Sequence, residues 1–397
     1  MWQRFETFSK DATDILWKRL VPADMAYSDY LMAIGMMLMV VGYVPKKLRD
    51  EAEEIGESVL NAAMATYTLD IYSRLLTYAG DNALAKDALQ RADAQRKAVR
   101  KQWTGKWFKR SWLTEELGWV GEDNIWLEPQ PWAIIGGASD SEQSKILAQS
   151  IDDIVRNPQK NGAMILGRPD KMMEGDDGVG TNAGVWPSIN GTLIWALALV
   201  DGEMGWDEWK KNTLAYHGDA YPDIWYGIWS GPDTYNSELS TYLGGTVHVG
   251  LYETEREKAD EKEDGITTGG LLQVSWTDFP VMNMHLHAWP LYDVSKILGI
   301  EFNPEGIDIK PTLPKDEYRF TSPLLELVKS RTGFKGRYAP LTAGTWKISV
   351  KLNDADMKRI SGLSVNGKGV EVVHDEGRIA FSGDSSADSP LEWEINL

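Results

Sequence analysis

Carboxylates set among aromatic residues are the groups in this sequence best suited to chemistry. Glu128 lies in Ile125-Trp-Leu-Glu-Pro-Gln-Pro-Trp132, and Glu174, Asp176 and Asp177 precede Thr181-Asn-Ala-Gly-Val-Trp186. Asp223 and Asp233 flank Trp225-Tyr-Gly-Ile-Trp229. Glycoside cleavage needs a carboxylic acid to protonate the leaving oxygen. It also needs a second carboxylate, or an outside nucleophile, on the opposite face of the ring. The indoles and phenol of Trp132, Trp186, Trp225 and Tyr226 would hold that ring. For any single one of these acids, the competing reading is a helix cap or a solvated loop carboxylate.

Other chemistries find less support. The five histidines are His217, His248, His285, His287 and His374. Only His285 and His287 are close, and an i, i+2 pair fits a metal site on a strand but not on a helix. No metal is expected. The sequence contains no phosphate-binding P-loop, dinucleotide fingerprint or G-x-S-x-G elbow.

The bulk properties agree with a neutral ligand. The chain has 397 residues with 59 acidic and 41 basic side chains, a formal charge of −18. Such a surface repels nucleic acid and anionic lipid, so neither is expected as a partner. There is no cysteine, which excludes disulfides and thiolate metal sites. The N-terminus lacks a basic start followed by an apolar core, and the apolar run from Tyr30 to Val44 is short for a membrane span. The expected compartment is the cytoplasm. Eighteen Trp and fifteen Tyr against eight Phe favour side chains that offer an apolar face with a polar edge.

The elements that must position these groups fall into two parts. Up to about Ile300 the apolar periodicity is helical. It predicts a helix or helix pair over Leu48–Tyr78, a charged helix over Asn82–Trp103 and one over Asp140–Val155 capped by Ser139 or Asp140. A buried helix follows over Thr192–Val200, and a last one over Pro290–Leu298. Between them run long loops at 104–131, 166–191 and 217–246, of a length that usually carries function. Glu253–Asp264 is almost wholly charged and reads as a solvated excursion. After Asn303 the pattern alternates, with strands over Thr345–Leu352, Leu363–Val365, Val370–Val373, Arg378–Phe381 and Leu391–Ile395. Asn366-Gly367 and Glu376-Gly377 are hairpin turns.

At the loops the sequence resembles the catalytic half of the inverting disaccharide phosphorylases of glycoside hydrolase family 94, the cellobiose and chitobiose phosphorylases. Gly56-Glu-Ser-Val59 is similar to the family's GESVW helix, and Gly105-Lys-Trp-Phe108 to its G-x-W-[FY] step. Leu127-Glu-Pro-Gln-Pro-Trp132 is similar to L-x-P-Q-x-W, and Thr181-Asn-Ala-Gly-Val-Trp186 to T-H-A-x-x-W. Tyr221-Pro-Asp-Ile-Trp-Tyr226 and Ser230-Gly-Pro-Asp233 resemble the segment between the last barrel helices. Ile297-Leu-Gly-Ile300, Gly306-Ile-Asp-Ile309 and Pro311-Thr-Leu-Pro314 resemble the exit into a β-domain. The resemblance covers roughly residues 25–350. Three departures accompany it. Met32 stands where the general acid of D-W-N-D would fall, although Asp29 survives. Asn182 replaces a phosphate-contacting histidine. The family's G-T-A-S-W phosphate loop has no clear counterpart around His285–Trp289.

The resemblance implies a mainly α protein: an (α/α) toroid-like helical domain over 1–300, with an incomplete six-hairpin barrel as one form of it, then a C-terminal β-sandwich over 301–397. It implies an enzyme that cleaves β-linked glycosides, glucosides or related oligosaccharides, with inversion. Water is slightly favoured over phosphate as acceptor. Phosphorolysis and a non-catalytic sugar-binding or assembly role are the alternatives. The acid is sought among Asp29, Glu128, Asp176 and Asp177. Gln130, Trp132, Asn182, Trp186, Trp225 and Tyr226 are expected to shape the sugar site. No cofactor is implied, with inorganic phosphate as co-substrate only under phosphorolysis. Because the resemblance starts about halfway through the family's barrel, a homo-oligomer is expected, most simply a dimer.

Overall fold

The computed structural model describes residues 44–48, 51–52, 55–171, 173, 176–224, 234–245, 284–375 and 377–397. The chain divides into two units, Met1–Val200 with Asp207–Leu291, and Asp201–Trp206 with Tyr292–Leu397. The architecture is mixed: the first unit is mainly helical with one small three-stranded sheet, and the second mainly β-sheet.

In the first unit, the helix expected from Leu48 is broken at Gly56, whose amide closes a turn on the Ala52 carbonyl. A β-carbon there would lie 2.3 Å from that carbonyl oxygen, so the turn requires glycine. Strand β1 (Glu57–Ser58) follows, and Ser58 then caps helix α1 (Val59–Tyr78) by accepting the Asn61 amide at 3.2 Å. Asp81 caps helix α2 (Asn82–Arg100) in the same way. The two helices form a hairpin in which Leu76 of α1 packs with Ala85 and Ala88 of α2, and Leu69, Tyr72 and Leu84 close over them.

The segment read as loop 104–131 is more ordered than expected. It contains the strands β2 (Ser111–Trp112) and β3 (Trp119–Val120) and opens helix α3 (Pro129–Ile135). Proline at a first helical position loses nothing, because that N–H has no intrahelical acceptor anyway. Helix α3 packs between α1 and α5 (Pro187–Val200), so α1, α3 and α5 form a row. Arg96 of α2 fastens it, with Nε on the Gly136 carbonyl at 2.8 Å and an ion pair to Asp70. Helix α4 (Ser141–Ile151) starts with Asp140 and Gln143 in a reciprocal capping box and continues as a π-helical turn over Asp152–Arg156. There Arg156 is buried against Asp152, Asp207 (2.7 Å) and Glu208 (3.0 Å). Helix α7 (Leu214–Ala220) lies in this unit, while α6 (Gly202–Lys211) and α8 (Met284–Ile297) each run from one unit into the other. No helix among the described residues is long and apolar enough to cross a membrane.

The second unit stacks a six-stranded sheet with a five-stranded one. The ranges are β4 Ile300–Asn303, β5 Gly306–Ile309, β6 Tyr318–Thr321, β7 Leu325–Ser330 and β8 Gly333–Tyr338. They continue with β9 Gly344–Val350, β10 Gly362–Val365, β11 Lys368–Val370, β12 His374–Asp375, β13 Arg378–Ser385 and β14 Leu391–Asn396. The larger sheet runs β11-β10-β14-β8-β7-β6 and the smaller β12-β13-β9-β5-β4, with all their described pairs antiparallel except β5–β9. Inward residues such as Ile307, Ile309, Leu327, Phe334, Ile348, Ile379, Trp393 and Ile395 make one core. Asn366 (φ 49) and Gly367 (φ 74) turn the β10–β11 hairpin as their types predict.

Candidate functional site

The long loops do not hang free; they are bonded edge to edge by backbone. Leu127 N–H donates to the Ile165 carbonyl (2.8 Å), Gly167 to Ile125 (3.0 Å) and Ile165 to Gly184 (2.9 Å). Val185 and Tyr235 exchange a reciprocal pair at 2.8 Å each. The intervening side chains Ile125, Trp126, Leu127, Met164, Ile165, Leu166, Val185 and Tyr235 are buried. Buried backbone must find partners, and here three separate loops supply them to one another. Gly178, at φ +76, is required by this layer, since a β-carbon would sit 2.5 Å from the Ser240 amide.

Three of the motifs noted in the sequence meet at Arg110. Its Nε donates to Glu128 Oε2 at 2.8 Å, its Nη1 reaches Ser58 Oγ at 3.4 Å, and its carbonyl accepts the Val59 amide at 3.1 Å. Arg110 and Glu128 are 1% and 6% exposed, so the pair is desolvated. Beside it, Gln130 accepts the Phe108 amide and donates to the carbonyls of Phe108 and Trp126. Gly56–Val59, Gly105–Phe108 and Leu127–Trp132 therefore form one hydrogen-bonded knot at the head of α1 and α3.

The sequence profile of the glycosyl hydrolase 94 superfamily, catalytic domain, matches residues 8–221. The chain belongs to this superfamily. It is 30% identical over 133 residues to the cellobionic acid phosphorylase of Neurospora crassa. That stretch is 32% of this chain and 16% of the relative's length. Among solved structures, it is similar to an uncharacterized conserved protein from Thermus thermophilus, at a TM-score of 0.38 and 12% identity over 60% of this chain and 56% of that one. It is also similar to a GH127 beta-L-arabinofuranosidase from Geobacillus stearothermophilus, at a TM-score of 0.32 and 10% identity over 99% and 68% of the two chains.

In this glycosyl hydrolase 94 chain, the residues singled out from the sequence fall into distinct settings. Asp176 and Asp177 are exposed on the turn leading to Gly178. Trp186 is half-buried, and its Nε1 donates to the Gly180 carbonyl at 2.9 Å, bracketing the same turn. Asn182 is buried, with its Oδ1 accepting the Asp170 amide at 2.8 Å. Trp132 joins Tyr67 and Trp195 in an aromatic cluster with centroids 5.1 to 6.2 Å apart. Glu128 and Gln130 lie in the knot, where Glu128 Oε2 serves Arg110 and the Gln130 amide serves the backbone. Asp29, Glu174, Trp225, Tyr226 and Asp233 lie outside the described residues. His285 and His287 fall within helix α8, not on a strand. No group of three or more His, Cys, Asp and Glu that could hold a metal occurs among the described residues.

Sequence reasoning passed over Arg110, although it stands two residues after the Gly105–Phe108 step. It also passed over His217, which stacks on Tyr235 at 4.1 Å and 15°, with Nε2 2.8 Å from the Gly244 carbonyl. Burial lowers the His217 pKa, opposed by that carbonyl contact, so its ring is neutral at physiological pH. Nearby, Tyr221 donates to Glu238 Oε1 at 2.5 Å, and burial together with that carboxylate raises the phenol's pKa. No spacing in the sequence signals either contact, since His217 and Gly244 are 27 residues apart and Tyr221 and Glu238 are 17.

Proposed function

We propose that the chain cleaves β-linked glycosides with inversion and that water is favoured over phosphate as the acceptor. In this reading the row α1, α3 and α5 belongs to an (α/α) toroid, and the loop layer forms the rim of its sugar site. The supporting observation is Asn182. By resemblance it occupies the position of a phosphate-contacting histidine, yet its Oδ1 holds the Asp170 amide inside its own loop. The buried Arg110 is likewise engaged by Glu128. Neither offers a charge to an anion. Asp176 and Asp177, exposed on the turn that Trp186 brackets, are the proposed acids together with Asp29; Trp132, Trp186, Trp225 and Tyr226 are proposed to shape the sugar site, and Glu128, Gln130 and Asn182 to hold the loops that carry it. The proposed setting is cytoplasmic.

The test is release of the aglycone from aryl β-glucosides, measured with and without phosphate. The expected rate is independent of phosphate, and the first-formed sugar has inverted configuration. A rate that rises in proportion to phosphate, with sugar 1-phosphate as product, overturns the choice of acceptor. Phosphorolysis is the second reading, favoured by the likeness to a protein named for phosphorolysis. Asn substitutions at Asp29, Asp176 and Asp177 locate the acid, whose loss costs about 10²–10⁴ in rate, and Glu128→Gln shows what loss of the buried pair alone does to turnover.

A further inference from the structure

Strands β1, β2 and β3 form a small sheet whose two faces differ sharply. Ser58, Ser111 and Val120, on one face, are 0%, 0% and 3% exposed. On the other face, Glu57 pairs with Trp112, and Trp112 with Trp119, in direct register. Residues directly opposite in an antiparallel ladder share a face, so Glu57, Trp112 and Trp119 stand in one outward row, and all three are only half-buried. The two indoles meet at 5.5 Å in a tilted-edge contact of 62°. Lys109 Nζ lies 4.8 Å from the Trp119 ring and 2.7 Å from Glu122. The row therefore runs carboxylate, indole, indole, ammonium, carboxylate.

We propose that this row is a sugar-binding subsite that stacks a pyranose ring of a β-linked oligosaccharide, with Glu57 and Lys109 bonding its hydroxyls. The choice of ligand follows from complementarity. A pyranose with equatorial substituents has flat C–H faces for the indoles and a rim of hydroxyls that both donate and accept. The outward face of a sheet in water is ordinarily polar, and paired tryptophans left there signal a binding surface. Anions are disfavoured by Glu57 and Glu122 and by a chain charge of −18, while the Lys109 charge is already met by Glu122. The β-linkage rests on the functional reading above; the stacking of a neutral ring rests on the row itself.

Calorimetric titration of the full chain with cellobiose and cellotetraose tests the subsite, beside Trp112→Ala, Trp119→Ala and Trp112→Phe. Truncating an aromatic anchor is expected to weaken cellotetraose binding about thirtyfold. Trp112→Phe keeps an apolar ring in the sheet and is expected to lose only a few-fold, with an unchanged melting temperature. Equal affinity for wild type, Trp112→Ala and Trp119→Ala overturns the subsite, as does the absence of saturable binding of either sugar to the wild type. Aryl glucoside turnover, measured in parallel, separates the two proposals. Trp112-dependent binding without turnover removes the catalytic reading and leaves the subsite. Turnover together with Trp112-independent binding does the reverse.

Discussion

Asp293 sits on α8 with no exposed surface, and neither carboxyl oxygen has a hydrogen-bond partner among the described residues. Burial pushes its pKa up to about 9 from the ordinary 3.8, against a weaker pull downward from Lys296. The carboxyl is therefore protonated in the folded chain at neutral pH and ionised in the unfolded one. Unfolding then releases a proton, so stability is fullest below the unfolded pKa, falls as pH rises and levels off above the folded pKa. Each pH unit in that window removes about 1.4 kcal/mol, which accumulates to about 4 kcal/mol between pH 4 and 7. Asp293→Asn removes the titration while keeping the size and polarity of the group. Urea unfolding of both proteins from pH 4.5 to 8.5 gives the comparison, and all other titrations cancel in the difference. The variant should gain on the wild type steadily with pH, approaching about 4 kcal/mol at neutrality. A difference that stays constant across the range would falsify the assignment of a buried neutral acid.

Three further outcomes follow from the packing. Arg110→Met leaves Glu128 buried without its partner and should cost about 3–5 kcal/mol in chemical denaturation; a loss under about 1 kcal/mol, as for an exposed pair, would contradict the desolvated geometry. Gly136→Ala would place a β-carbon 1.8 Å from Thr66 Oγ1, between α1 and α3. It should destabilise by about 1–3 kcal/mol, and Thr66→Ser should not rescue it because the hydroxyl remains. Ile71, Leu75 and Tyr78 form an exposed stripe on α1, 39% to 71% accessible, and such stripes mark interfaces. Light scattering at micromolar concentration should therefore give a dimeric mass, shifted toward monomer by Ile71→Glu with Leu75→Glu.

Much of the fold was legible where the signal is local. Asp140 caps α4 because a carboxylate can reach amides two and three residues on, and Asn366-Gly367 turns a hairpin because both tolerate positive φ. Strand β9 and strand β14 show their alternation over six or seven residues. Strands β4 to β6 have four residues each, too few for alternation to stand out, and in β7 and β8 the alternation is masked by Lys329 at a buried position and by Gly336 and Arg337. Helix α3, seven residues with two prolines, has no helical period of its own; it is helical where α1 and α5 cover it.

The sequence by itself determined the chemistry on offer: acids and tryptophans in Gly-rich loops, an acidic surface without cysteine, and motifs in the order that resembles family 94. Those are properties of composition and of neighbours along the chain. Only the tertiary structure decided which groups stay accessible to a ligand. Glu128 and Gln130 are drawn into the knot around Arg110, Asn182 is turned onto its own loop, Asp176 and Asp177 remain in water, and Glu57, Trp112 and Trp119 line up on one face. Each of those outcomes depends on desolvation and on strand register between segments distant in sequence. A side chain's burial and partners are set by what packs against it, and no spacing along the chain encodes that.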